Sequence, residues 1–259
     1  MAKLVGGPCG PPYPLVGPPN PLRDNRGVPL PDTLVLFARA PEPGHVKTRL
    51  APLLGREGAA RLYRAFLEDA ARTYGRGQEW TPVLAADPSA DHPLLTILFG
   101  PPWRRVAQAA GDLGSRLTAA FRGEAALGAS AILAVGSDHP ALPRGHILEM
   151  FRALKSGKEA AIIPAEDGGY CAIGLTRKIA PEKVFEAIPW STPAVLEATL
   201  DRLAALGAVV SVLDTFYDVD RPEDVGRLAR ELASRDPRGE DFPAATARAL
   251  KELAAEVAL

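Results

Sequence analysis

Apolar and polar positions along this chain follow two alternating rhythms. Short, nearly continuous apolar runs read as buried strands, and longer stretches with apolar residues every three or four positions read as amphipathic helices. The predicted strands are TLVLFA (33–38), TPVLAA (81–86), LTILFG (95–100), AILAVGSD (131–138), AAIIPA (160–165), YCAIGL (170–175) and AVVSVLD (208–214). Between them, 56–75 sets Ala60, Leu62, Tyr63, Phe66, Leu67 and Ala70 along one helical side, and 111–128 is a loop leading into a helix. Further helices are predicted over 144–157, 192–207, 221–235 and 244–257. In the last of these, Leu250, Leu253, Ala254 and Val257 share a side, which suits core packing, with a homodimer contact as the second reading. Strand and helix in alternation build a mostly parallel sheet with helices on both faces.

Residues 1–32 break the rhythm: they hold 9 of the 26 prolines and 5 of the 24 glycines. Proline removes backbone donors and pushes its predecessor toward extended conformations, so this stretch reads as a flexible or polyproline-like arm ahead of one domain over 33–259. Thirty cationic and 31 acidic side chains nearly cancel, which argues against nucleic acid or an anionic membrane as the main partner. Cys9 and Cys171 are too few for a disulfide framework and lack the companions of a zinc site, so a cytoplasmic protein is expected. No apolar run approaches the roughly 20 residues of a membrane span.

Open α/β sheets gather ligands at the carboxyl ends of their strands, so the polar residues that follow strands carry the chemistry. After the first strand, ARAPEPGHVKTRLAPLLG (38–55) sets Lys47, Thr48 and Arg49 behind a Pro-Gly-rich turn. Cations of this kind suit a phosphate, Arg by paired hydrogen bonds and Lys as a point charge; the alternative is a solvated basic turn. The loop is not a P-loop, and no G-x-G-x-x-G follows the strand. AVGSDHPAL (134–142) places Asp138 at a strand end, where an oxygen ligand suits Mg²⁺ or Mn²⁺, although a turn or cap aspartate is the plainer use. The four histidines are scattered, and solvation is the expected state of most of them.

PAEDGGYCAIGL (164–175) allows a substrate to lie against Gly168 and Gly169 with Glu166 and Asp167 facing it, either carboxylate being a candidate general base toward an acceptor hydroxyl. A hairpin turn explains Asp-Gly equally well. In IPWSTPAVLEATL (188–200), Ser191 and Thr192 read as a helix cap and Trp190 as packing or as a sugar platform. FYDVDRPEDV (216–225) adds Asp218 and Asp220, which complete a metal site with Asp138 or start a helix.

The ordered set VLFARAPEPGHVKTRLAPLLG, GDLGSRL, GSDHPAL, PAEDGGYCAIGL, PWSTPAVLEATL and DVDRPED resembles the bacterial glycosyltransferase-like family of the nucleotide-diphospho-sugar transferase superfamily, some of whose members are labelled arsenosugar-biosynthesis glycosyltransferases. The resemblance runs from residue 33 to about 230 and implies a GT-A-type, Rossmann-like α/β/α sandwich that binds a nucleotide and a divalent cation. It implies Asp138, Asp218 and Asp220 as metal ligands and Lys47 and Arg49 as phosphate ligands. Gly44, Asp112 and Gly114 join them as nucleotide-site candidates, and Gly168, Gly169, Tyr170, Trp190, Ser191 and Thr192 line the acceptor side. His139 and Arg221 depart from the usual small or hydroxyl residues there.

Two reactions follow from this resemblance. Sugar transfer from a nucleotide-diphospho-sugar to a small acceptor uses the EDGGY carboxylates, whereas nucleotidyl transfer, as in the similar phospholactate guanylyltransferases, uses the KTR loop on a triphosphate. A nucleotide-binding protein without chemistry is a third reading.

Overall fold

The computed structural model describes residues 32–77 and 79–257. The arm expected over 1–32 therefore lies, apart from Asp32, outside the described residues. Seven strands are ordered β3-β2-β1-β4-β6-β5-β7. They are β1 (Asp32–Arg39), β2 (Trp80–Asp87), β3 (Arg104–Ala107), β4 (Ala131–Gly136), β5 (Ala160–Pro164), β6 (Tyr170–Thr176) and β7 (Val210–Val212). Only β6 among them runs against its neighbours, β4 and β5. The sheet is thus mostly parallel, with helices packed on both faces, as the unbroken apolar runs imply.

The helices are α1 (Ala51–Tyr74), α2 (Pro93–Leu98), α3 (Leu113–Ala126), α4 (Arg144–Lys155), α5 (Pro181–Val184), α6 (Val195–Ala205), α7 (Pro222–Ser234) and α8 (Ala244–Val257). One apolar cluster joins Leu34, Leu36 and Leu84 to α1 and α4; the other joins Val35, Val83 and Ile132 to α3 and α6. Alternate side chains of the central strands feed opposite layers, as the two-residue strand period requires. Asp69 of α1 is buried and accepts hydrogen bonds from the Ala245 and Thr246 amides at 3.1 and 2.7 Å, fixing the start of α8. Leu253 is buried, Leu250 packs against the core, and Ala254 is exposed, so the apolar side of α8 is used within the chain.

LTILFG is not a strand. Pro93 opens a helix there, and Leu95 and Phe99, four residues apart, are fully buried while Ile97 between them is 72% exposed. A strand would have put all three on one face. The true third strand, RRVA, pairs among the described residues only with β2 and carries charge because it lies at the sheet edge. Arg104 reaches Glu124 of α3, and Arg105 donates to the Phe99 and Ala90 carbonyls at 2.8 and 3.1 Å.

Candidate nucleotide and metal site

The sheet order reverses direction at β1, whose neighbours β2 and β4 are reached by crossovers in opposite senses. The loops after β1 and β4 diverge at that point and leave a crevice at the strand ends. A cleft of about 760 Å³ occupies it, walled by the β1 loop, the start of α3, the end of β4 and Asp220.

The β1 loop is held by Ala40, whose amide donates to the Asp87 carbonyl at 2.8 Å, and by the buried Val46 and Leu50. Gly44 takes a φ of +80°, and Lys47 a left-handed φ of 46° and ψ of 41°. A side-chain-bearing residue in that region is strained by roughly 1–3 kcal/mol, a cost usually met at functional sites. The conformation aims Lys47 inward: its side chain is 4% exposed, with Nζ 2.6 Å from Asp138 Oδ1 and 3.7 Å from Asp220 Oδ1. The ammonium also lies 6.0 Å from the ring centres of Tyr63 and Phe66. Arg49 donates to Asp220 Oδ2 at 2.6 Å and is 68% exposed at the mouth.

Burial would raise the Asp138 carboxyl, but the adjacent Lys47 ammonium outweighs it and holds the group below the ordinary range. The Asp138 carbonyl accepts from the Val219 amide at 3.0 Å, stitching the β4 loop to the late acid segment. Asp218 is the opposite case: burial, reinforced by Asp167 and Asp138, raises its carboxyl above the usual value. Burial lowers His139, whose Nδ1 lies 3.2 Å from the Tyr217 carbonyl. Nor are the other histidines mainly solvated: His92 sits 3.2 Å from Glu42, His146 packs on Phe216, and only His45 is exposed.

The EDGG segment is both a hairpin turn and part of the strand-end edge. Ala165 donates to the Gly169 carbonyl at 3.0 Å, closing the turn between β5 and β6. Gly168 has a φ of +90°, and a Cβ there would stand 2.2 Å from the Pro193 carbonyl oxygen, so only glycine fits. Asp167 accepts from the Gly169 amide at 2.9 Å. Neither Glu166 nor Asp167 is part of the cleft wall; both Glu166 oxygens take the Arg227 guanidinium, at 2.6 and 2.8 Å, and that pairing lowers its carboxyl.

Trp190 packs. Its ring meets Tyr170 and Phe185 at centroid distances of 6.5 and 6.3 Å, and a Cβ on Gly114 would stand 2.8 Å from its Nε1. Gly114 is therefore the small residue that admits the indole. Asp112 lines the cleft and caps α3 through the Ser115 amide at 2.8 Å, which lowers its carboxyl. Ser191 also lines the cleft, with a φ of +63°. The expected helix start at 192 is corrected to Val195: Thr192 instead donates to the Pro189 carbonyl at 2.8 Å and accepts from Ala194, a local turn that delays the helix.

Three cleft residues escaped the sequence reading. Arg39 lies 3.2 Å from Asp87, and Arg116 donates to Gln108 at 3.1 Å and lies 3.5 Å from Asp87. Gln108 in turn donates to the Ala85 and Ala38 carbonyls at 2.9 and 3.3 Å. For Gln108 and Arg116 the signal was position, since 108–116 follows β3 directly, but the strand expected at 95–100 hid it; Arg39 closes β1, where the strand end itself was the signal.

A divalent cation is compatible with the donor set. Two carboxylates, Asp138 and Asp220, already converge on one cationic atom, and Asp218 is a third nearby acid whose charge is opposed by its neighbours. No group of three or more His, Cys, Asp or Glu among the described residues could hold an ion unaided. Such a site suits a metal bound by one or two carboxylates and completed by substrate phosphates.

Residues 70–192 match the family model described as "Uncharacterized protein conserved in bacteria (DUF2064)". The chain is 30% identical to a protein of Desulfovibrio desulfuricans G20 provisionally named a nucleotide-diphospho-sugar transferase, with a TM-score of 0.79 over 88% of this chain and 96% of that one. A cytidylyltransferase of Leptospira borgpetersenii superposes with a TM-score of 0.54 at 12% identity, covering 88% and 97%. The 4-diphosphocytidyl-2C-methyl-D-erythritol synthase of Anaerococcus prevotii gives 0.50 at 15%, covering 78% and 96%. These last two likenesses are of fold. None of the curated proteins matches the chain. No helix among the described residues is long and apolar enough to cross a membrane.

Proposed function

Because the chain belongs to the bacterial DUF2064 family, whose fold here is that of nucleotide-using transferases, we propose that it moves a sugar from a nucleotide-diphospho-sugar to the hydroxyl of a small acceptor. The observation that carries this reading is the juxtaposition of two unlike sets of groups: cations walling the cleft around Lys47, and the acids Asp138 and Asp220 bound to them, with Asp218 and the Asp167 turn next along the acidic side. Lys47 and Arg49 hold the donor's diphosphate. A bound Mg²⁺ or Mn²⁺, held by Asp138 with Asp218 or Asp220, supplies neutralisation of the leaving group's charge. Asp167 takes the acceptor proton as the acceptor oxygen bonds to the sugar carbon and the bond from that carbon to the diphosphate oxygen breaks. Glu166 is excluded from this role by its pairing with Arg227. The acceptor lies against Gly168, Gly169 and Ser191.

A hydroxyl acceptor is favoured because a phosphorylated one would meet three carboxylates. Nucleotidyl transfer is the second reading, supported by Arg39 and Arg116, which bring the cleft's Lys and Arg side chains to four. Asp167→Asn separates the two: it abolishes sugar transfer, whereas an acceptor phosphate needs no base and nucleotidyl transfer continues. The assay pairs UDP-, GDP- and CDP-sugars, and separately GTP, CTP and UTP, with an acceptor panel in Mg²⁺. Tight nucleotide binding without turnover in any pairing would replace both readings with that of a nucleotide-sensing protein.

A further inference from the structure

Helix α7 arranges its polar residues in a stripe. Val225, Leu228 and Leu232 face the core, while Asp224, Arg227, Glu231 and the capping Arg235 recur at spacings of three and four along one adjoining side. Together the four engage three segments at the strand ends. Asp224 accepts from the Asp220 and Arg221 amides at 3.0 and 2.7 Å, fixing the late acid segment. Arg227 grips Glu166 with two nitrogens and lies 3.8 Å over the Tyr217 ring. Tyr217 donates to Glu231, and Arg235 donates to the Ala141 carbonyl at 3.1 Å, three residues beyond Asp138. The three loops that carry Asp138, Asp167 and Asp218 with Asp220 are therefore tied to one helix.

We infer that Arg227 is a positioning residue that locks the 165–169 turn onto α7 and so holds Asp167 at the strand-end edge. The inference rests on the reading of Asp167 as the base. Both partners of the pair are about half exposed, which limits its contribution to stability. Its two-pronged geometry and the ring beneath it restrict orientation instead, and orientation is what a proton acceptor requires. Glu166 is fastened from its backbone as well, its amide donating to the Phe216 carbonyl at 3.1 Å, so the carboxylate and main chain pull the turn toward the same segment.

Hydrogen exchange read residue by residue on the full chain tests this. Gly168 donates to the Ala165 carbonyl and Gly169 to Asp167, so both amides report the turn. In Arg227→Met their exchange is expected to quicken about tenfold while Ile173 and Gly174 within β6 keep their rates. In the sugar-transfer assay, kcat falls about tenfold with the donor KM within about twofold. The charge-exchanged pair Glu166→Arg with Arg227→Glu restores slow exchange. Unchanged rates at Gly168 and Gly169, faster exchange spread over all of β6, or a quickened turn with an unaltered kcat would each overturn the inference. Full sugar transfer by Asp167→Asn would instead sink the base assignment alone, since the exchange of the two glycine amides does not depend on it.

Discussion

The two halves of the sheet meet at the β1–β4 boundary with opposite chemistry. On the β1-β2-β3 side Arg39, Lys47, Arg49 and Arg116 wall the cleft; on the β4-β6-β5 side Asp138 and Asp220 wall it, with Asp218 beside Asp220 in the chain and Asp167 at the β5–β6 turn outside the wall. The cationic half is held by contacts within its own loops and to strand carbonyls, as with Gln108 on Ala38 and Ala85. The acidic half hangs on α7. The supports are largely separate, so each half can be disturbed alone; the halves are joined where Lys47, on the cationic loop, is bound to Asp138 and Arg49 beside it to Asp220, and of these two cations Lys47 is the buried one.

The largest effect is therefore expected at that crossing. Lys47→Met removes the phosphate cation and leaves Asp138 without its counter-charge, and transfer should fall about a thousandfold, as when a preorganised charge is deleted from an active site. Lys47→Gly would relieve the left-handed backbone and yet lose as much activity; recovery in the glycine variant would show that the strain, not the charge, matters. Next comes Asp138→Asn. Nucleotide-induced thermal stabilisation in Mg²⁺ should drop to its level in EDTA, with affinity in Mg²⁺ reduced about a hundredfold. A Mg²⁺ response that survives the substitution would break the assignment of the acidic half to the metal.

The acidic half was the more legible from sequence for a physical reason. Asp138, Asp167 and Asp218 each follow an apolar strand or close a glycine turn, where an acid has no packing purpose, and the pattern of burial exposes it. The same reasoning located Lys47 and Arg49. It failed for Arg116 because the preceding edge strand RRVA is charged and short, whereas LTILFG looks like a strand and is a helix with a four-residue apolar period; Arg39 ends the correctly expected first strand but was passed over for the cations further along its loop. Contacts between distant segments were invisible too: no local pattern shows that Glu166 meets Arg227, 61 residues away, or that Gly114 is small to seat Trp190. The sequence places chemistry at strand ends; which end faces which is decided by tertiary packing.

The edge strand offers a smaller, purely structural contrast. Glu124 is buried, and burial raises its carboxyl despite the opposing pull of Arg104. Arg104→Met leaves that carboxyl without its cation. Because Arg104 is itself partly exposed, a loss of about 2 kcal/mol is expected rather than the full cost of breaking a buried pair. The sign with pH follows from the raised value: protonated Glu124 is favoured in the fold, so the stability it contributes is present at low pH and lost as the pH rises through its folded pKa. The loss caused by Arg104→Met should accordingly be larger at pH 7 than near pH 4.5. Urea titrations at the two values check this; equal losses would mean that Arg104 acts by packing on α3 alone.

The smallest effect separates the two reactions within the cationic half. Arg39 is well exposed and shares Asp87 with Arg116, so neither guanidinium is a dedicated phosphate ligand in this arrangement. If the donor carries a diphosphate, Lys47 and Arg49 suffice, and Arg39→Met should weaken donor binding about fivefold, close to 1 kcal/mol, with kcat unchanged. A triphosphate extends further along the wall and recruits a third cation. A loss of a hundredfold confined to GTP, CTP or UTP, with sugar nucleotides little affected, would move the chain from sugar transfer to nucleotidyl transfer and give the cationic half the larger part of the chemistry.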